Sequence, residues 1–195
     1  MLVALTGIGL STAAGLNAFI PFLVVALLAR FTDVVTLPGS LTWMESWWAI
    51  GTGAVLLAAD VVLDKVPVVD SVNDAVQTAV RPLSGGVVFA ATSAAADLES
   101  SDWVRDNPWV PFVAGVLLAA LVHAGKATVR PVVNAATFGV GAPVVSTVED
   151  GTSVGLSLAA VLVPVLVAVL LVGLVVGFVV LRRRARAATR GRDAA

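Results

Sequence analysis

From Met1 to Ala29 the chain carries no charged side chain. A helix that crosses a lipid bilayer needs about 20 mostly apolar residues, and this stretch exceeds that length. A secretory signal would begin with a basic residue, would be shorter and would end at a small-residue cleavage site. Leu2–Ala29 therefore reads as a retained membrane segment. Ser153–Leu181 is a second charge-free stretch of similar length.

The composition agrees. Apolar residues make up 58% of the chain and charged residues 13%. Soluble domains have about 45–50% and about 25%. A soluble core has no room for so much apolar surface, so lipid is the expected solvent and the bilayer the expected partner. There is no cysteine and only one histidine. That excludes disulfides, thiolate chemistry and a multi-histidine metal site within one chain.

Shorter apolar segments follow the first. Trp47–Leu63 and Trp109–His123 begin with tryptophan, a residue favoured at membrane interfaces. Leu83–Ala96 carries glycines, and Val132–Val148 is interrupted by Gly139, Gly141 and Pro143. The last reads as a short crossing, a broken helix or a re-entrant loop. Six of the twelve bases fall in residues 182–195. The positive-inside rule holds such a tail in the cytoplasm. With six crossings, Lys65, Arg81, Lys126 and Arg130 join it there, and the acidic stretch DLESSDWVRDNP falls outside. The expected fold is thus an all-α polytopic membrane helix bundle of about six segments. It forms one domain over residues 1–181, followed by a disordered cytoplasmic tail over 182–195. The expected location is the cell membrane, with both termini cytoplasmic. AVRPLSGGVVFA (79–90) matches TVRPVVNAATFG (128–139) loosely, which suggests a parallel helix-hairpin repeat.

The charges fall in stripes. Asp70, Asp74, Gln77 and Arg81 share one helical face, at spacing i, i+4, i+7 and i+11. Asp60 and Asp64 form another i, i+4 pair, with Lys65 adjacent, and Pro67 bends the chain between the two sets. His123, Lys126 and Arg130 make a mainly basic stripe, which Asn134 continues if the helix survives Pro131. The two stripes are expected to meet across a polar cavity near the cytoplasmic end of the bundle. The competing reading makes them solvated loop faces that serve only topology. His123 is the side chain whose charge can change near neutral pH.

Two further elements carry polar groups. In GLNAFIP, Gly15 to Pro21, the proline removes the helical partner of the Asn17 carbonyl, so a break in the first segment is expected. Glu149 and Asp150 precede the last apolar segment, where acids favourably cap a helix N-terminus. Turned inward, the pair becomes a cation ligand instead.

These same residues carry a resemblance. GLNAFIP, DKVPVVDSVNDAVQTAVRPLSGG, HAGKATVRPVVN and the late STVED together resemble an uncharacterised bacterial membrane family, domain of unknown function 4126. The likeness covers nearly all of residues 3–180, without the basic tail. It implies a compact multi-pass membrane protein and brings no activity, so no residue role is inherited from it.

Among function classes, an enzyme has little support. D-x-x-x-D occurs at Asp60/Asp64 and Asp70/Asp74, among other places, and paired aspartates can hold a divalent metal. Yet no H-E-x-x-H is present. No catalytic residue and no cofactor is assigned, and the metal question stays open. A transporter of a small polar or ionic substrate fits the stripes and the broken helix better. A membrane scaffold or accessory subunit is the alternative, with homo-oligomers allowed in either case. No nucleic-acid partner is expected.

Overall fold

The computed structural model describes residues 2–65, 69–92, 102–107, 109–138, 140–167, 169 and 172–173. Pro67, residues 97–101 and 108 of the acidic stretch and the tail 182–195 lie outside the described residues, as do the side chains of Asp70 and Asn134. Among the described residues every regular element is helical. They are α1 (Leu2–Leu16), α2 (Phe19–Phe31), a 3-10 helix (Gly39–Glu45), α3 (Trp47–Leu63), α4 (Val69–Ala91), α5 (Asp102–Arg105), α6 (Val110–Ala136) and α7 (Ala142–Leu162).

Several boundaries correct the sequence-based expectation. Leu2–Ala29 is two helices, parted at Asn17 and Ala18. The Asn17 side chain accepts hydrogen bonds from the Phe19 and Ile20 amides, at 3.0 and 3.3 Å, and so caps α2. Pro21 then sits in the first turn of α2, where no intrahelical amide bond is lost. The break therefore precedes Pro21. The polar stretch before Arg81 and the apolar one after it form a single helix that continues through Pro82. Helix α6 likewise continues through Pro131 to Ala136. Val132–Val148 is not one segment. It contains the end of α6, a turn with Phe138 at φ 51°, and the start of α7.

Six helices alternate in direction. Helix α1 runs antiparallel to α7: Gly9 abuts Ala160, Ser153 Oγ bonds the Ala13 carbonyl at 3.0 Å, and Asn17 bonds Asp150. Helix α2 runs antiparallel to α3, with Asn17 near Asp60, Phe22 against Gly53, and Phe31 near Trp47. Helix α4 runs antiparallel to α6. Asp74 meets Arg130, Arg81 meets His123, and Gly85 touches Gly115 and Ala119. The two V-R-P segments thus lie on oppositely directed helices, which removes the parallel repeat. Glycine permits this close packing: a Cβ on Gly15 would stand 2.7 Å from the Ala119 carbonyl, and one on Gly115 would strike the Gly85 carbonyl. Small residues at helix crossings let backbones approach in this way.

The polarity of the helices is inverted relative to a soluble protein, in which an amphipathic helix turns its apolar stripe inward. On α4, Asn73, Gln77 and Arg81 are buried, whereas Val72, Val76 and Leu83 are exposed. On α6, Lys126 and Arg130 are buried, while Leu117 and Leu121 are 64% and 72% exposed. Val144, Val148 and Leu162 do the same on α7. By length and apolarity, one described helical stretch, Val110–Arg130, suffices to cross a membrane. The 3-10 helix and α3, bent by 62° between them, add a second if taken as one span; α1 and α2 are apolar but shorter.

Candidate functional site

Each of the six alternating helices brings one end, or the half nearest it, to the same place. There the structure gathers Asn17, Asp60, Asp64, Lys65, Asp74, Arg81, His123, Lys126, Arg130, Glu149 and Asp150. Asp64, just past the end of α3, is the hub. Its Oδ2 lies 2.8 Å from Arg130 Nη2 and 3.6 Å from both Lys126 Nζ and Arg81 Nη2. Its Oδ1 accepts from Asn73 Nδ2 at 2.8 Å. Glu149 Oε2 accepts from Arg130 Nη2 at 2.7 Å and faces Lys126 Nζ at 3.0 Å. Asp74 spans the two guanidinium groups, with Arg81 Nη1 at 3.4 Å and Arg130 Nη1 at 3.2 Å. Three acids thus face three bases at the centre, all on the protein's inner side.

His123 extends this centre. Arg81 Nη1 lies 3.2 Å from its Nδ1, and Thr78 Oγ1 lies 3.0 Å from its Nε2. A guanidinium only donates, so Nδ1 accepts and Nε2 carries the proton. The Thr78 hydroxyl passes its own hydrogen bond to the Asp74 carbonyl, at 2.8 Å. Lys126 also donates to the Leu16 carbonyl at 3.1 Å, and Ser84 donates to the Ala18 carbonyl at 2.5 Å. The break between α1 and α2 is thereby satisfied by side chains of α4 and α6.

Asp60 forms a second, adjoining centre of different character. Among the described residues its hydrogen-bond donors are amides: Asn73 Nδ2 at 2.6 Å and Gln77 Nε2 at 2.8 Å on Oδ1, and Asn17 Nδ2 at 3.1 Å on Oδ2. The same Asn17 nitrogen bonds Asp150 Oδ1 at 2.9 Å, and Lys65 Nζ stands 3.8 Å from Asp150 Oδ2. Among the described residues no base lies within ion-pair reach of Asp60. Among the described residues, five buried side-chain atoms have no hydrogen-bond partner: Gln77 Oε1, Arg81 Nε and Nη2, Ser146 Oγ and Ser157 Oγ.

One expectation changes here. Glu149 and Asp150 do not cap a helix. Helix α7 starts seven residues earlier, at Ala142, so both fall within it and turn inward. Of the expected partners of the basic stripe, Asp74 meets Arg81 and Arg130, and Asp64 meets Arg81, Lys126 and Arg130; the Asp70 side chain lies outside the described residues. Pairing within the acidic segments is also closer than expected, since Asp60 and Asp64 share the Asn73 amide. Asn73 and Thr78 were not singled out by the sequence. Asn73 stands at i−4 from Gln77 on the same face, which was the available signal. The D-x-x-x-D pair Asp60/Asp64 is engaged by amides and guanidinium groups, and no group of three or more histidines and acids among the described residues is disposed to hold a metal. An apolar groove of about 530 Å³, lined by Phe22, Trp48 and Leu83 among others, lies between α2, α3 and α4 and includes no charged residue.

An all-α bundle with a charged interior is the class that this geometry defines. The chain belongs to the family described as Domain of unknown function (DUF4126), which matches residues 4–184. No curated protein and no solved structure matches the chain.

Proposed function

We propose that this is a multi-pass membrane protein that moves a small polar or ionic solute through its charged core. The observation that carries the reading is the inverted polarity. Charged and amide side chains of α3, α4, α6 and α7, with Asn17 at the α1–α2 break and Asp64 just past α3, turn inward to one another, while apolar side chains cover the outside. In a soluble protein this arrangement wastes the hydrophobic effect at the surface and incurs charge desolvation inside. In lipid the outer face costs nothing, and inward ionisable groups mark substrate and ion pathways. A scaffold that binds partners by charge would present its stripes outward. The unpartnered Ser146 and Ser157 hydroxyls, on the inner face of α7 on either side of Glu149 and Asp150, extend the polar lining along the bundle.

Lys65, Lys126 and Arg130 make the charged pole cytoplasmic under the positive-inside rule. The expected six segments are then α1, α2, α3, α4, α6 and α7 rather than the six apolar stretches of the sequence. Because α1 ends at that pole, its Leu2 end lies on the outer side in this arrangement. By sequence alone, residues 163–181 are 19 apolar or small positions, about the length of one further crossing.

The absence of cysteine allows a clean test. Ser146→Cys and Ser157→Cys are isosteric, and a membrane-impermeant thiol reagent applied to either side of sealed vesicles reports access. A pathway predicts labelling of Ser146→Cys from the cytoplasmic side and of Ser157→Cys from the outer side. Resistance of Ser157→Cys from both sides, with Ser146→Cys reactive, defines a closed cluster and removes the transport reading.

A further inference from the structure

Charge balance within the network points to a specific ligand. The central acids Asp64, Asp74 and Glu149 are matched by Arg81, Lys126 and Arg130, and Asp150 is matched by Lys65. Among the described side chains of the network, one carboxylate is left over. Asp60 is 2% exposed and is held by three amides rather than a base. The charged groups arranged around it are Asp64 beyond the end of its own helix, Asp150 from α7, Arg81 from α4 and Lys126 from α6. The two bases are already committed to other acids. An isolated charge in a dry interior is costly unless something neutralises it.

A second observation is independent of this count. Gln77 is 3% exposed, and its Oε1 has no partner although its Nε2 lies on Asp60 Oδ1. A buried amide oxygen next to a carboxylate has no use for that carboxylate's lone pairs. It does have a use for a hydroxyl hydrogen at the same place. Half a turn of the Gln77 amide exchanges its donor for its acceptor without moving the helix.

We propose that Asp60 is a proton-binding site, in which the protonated carboxyl donates to the turned Gln77 amide oxygen. The step moves one proton from a hydronium ion of the aqueous phase to Asp60 Oδ1; no covalent bond of the protein breaks, and the Gln77 Nε2–H···Oδ1 hydrogen bond gives way to Oδ1–H···Oε1. Asn73 still donates to the second lone pair of Oδ1, and Asn17 to Oδ2. Loading also cancels the one surplus negative charge. A proton fits this ring better than an alkali cation, because three amide nitrogens now point their hydrogens at the carboxylate. A cation would require all three to turn. The inference deepens the transport reading by naming the ion that accompanies the solute.

Infrared difference spectroscopy of the full-length protein in lipid tests it without needing the solute. A pH jump should produce a carboxylic-acid C=O band in the wild type. Asp60→Asn should abolish that band, Asp74→Asn should keep it, and Gln77→Leu should shift it by removing the acceptor. Replacing choline by sodium at constant ionic strength should leave the wild-type titration unmoved. A band that survives Asp60→Asn overturns the proposal, and so does a band that sodium displaces. If Asp60→Asn does not fold, an unshifted band in Gln77→Leu overturns it equally. The readout is independent of thiol access along α7, so a sealed core with a titrating Asp60 would remove transport and leave the proton site standing.

Discussion

Asp64 touches three bases and an amide with two oxygen atoms, and it is buried. Removing one member of a buried ion pair leaves an uncompensated charge and costs about 3–5 kcal/mol. Asp64→Asn should therefore lower the unfolding free energy in detergent micelles by about that amount. Asp74→Asn should cost less, since its side chain is 15% exposed and water shares the charge. Joining Asp64→Asn to Arg130→Met restores the balance of charges, so the double variant should lose less than the sum of the two. A strictly additive loss would mean that the contact carries no coupling. The basic half of this cluster was legible in the sequence, because His123, Lys126 and Arg130 share a face and stand where apolar sequence ends. Asn73 and Thr78 were not. Amides and hydroxyls occur as readily on solvated faces, and only the neighbouring helix decides what they bond. The capping of α2 by Asn17 was hidden for the same reason: periodicity showed an apolar run, and a single side chain divides it.

At the level of the helices, packing outweighs local propensity. Both Pro82 and Pro131 lie inside helices that continue past them. Proline is tolerated in membrane helices where neighbouring helices satisfy the freed groups. That is why boundaries inferred from proline and glycine failed over 69–91 and 132–148, and why Glu149 and Asp150 read as a cap. The glycine seam gives a sharp contrast on one element. A methyl at Gly115 meets the Gly85 carbonyl and Phe89, whereas one at Gly125, on the same helix, meets nothing within 4 Å. Gly115→Ala should cost about 1–3 kcal/mol by overpacking. Gly125→Ala should be neutral or gain up to about 1 kcal/mol, the helix penalty of glycine. Thermal unfolding of both variants checks the pair, and equal effects would contradict the α4–α6 contact.

For the molecule as a whole, composition revealed the helical class, because so much apolar sequence with so little charge has few other solutions. It did not reveal the alternation of six helices about one charged pole. Direction depends on what a chain break does: a break within GLNAFIP was expected from Pro21 as an interruption of one segment, whereas at Asn17 and Ala18 it separates two helices of opposite direction. The inverted polarity makes an equally sharp demand on the surroundings. Leu117 and Leu121 on α6 and Val148 on α7 point outward. Nitroxide labels on Leu117→Cys, Leu121→Cys and Val148→Cys, read by spin resonance in lipid vesicles, report which solvent meets that face. A membrane bundle predicts more frequent collision with oxygen, which concentrates in hydrocarbon, than with a water-soluble nickel chelate at all three positions. More frequent collision with the nickel chelate at all three would put water on the outer face and contradict the membrane bundle on which the transport reading stands.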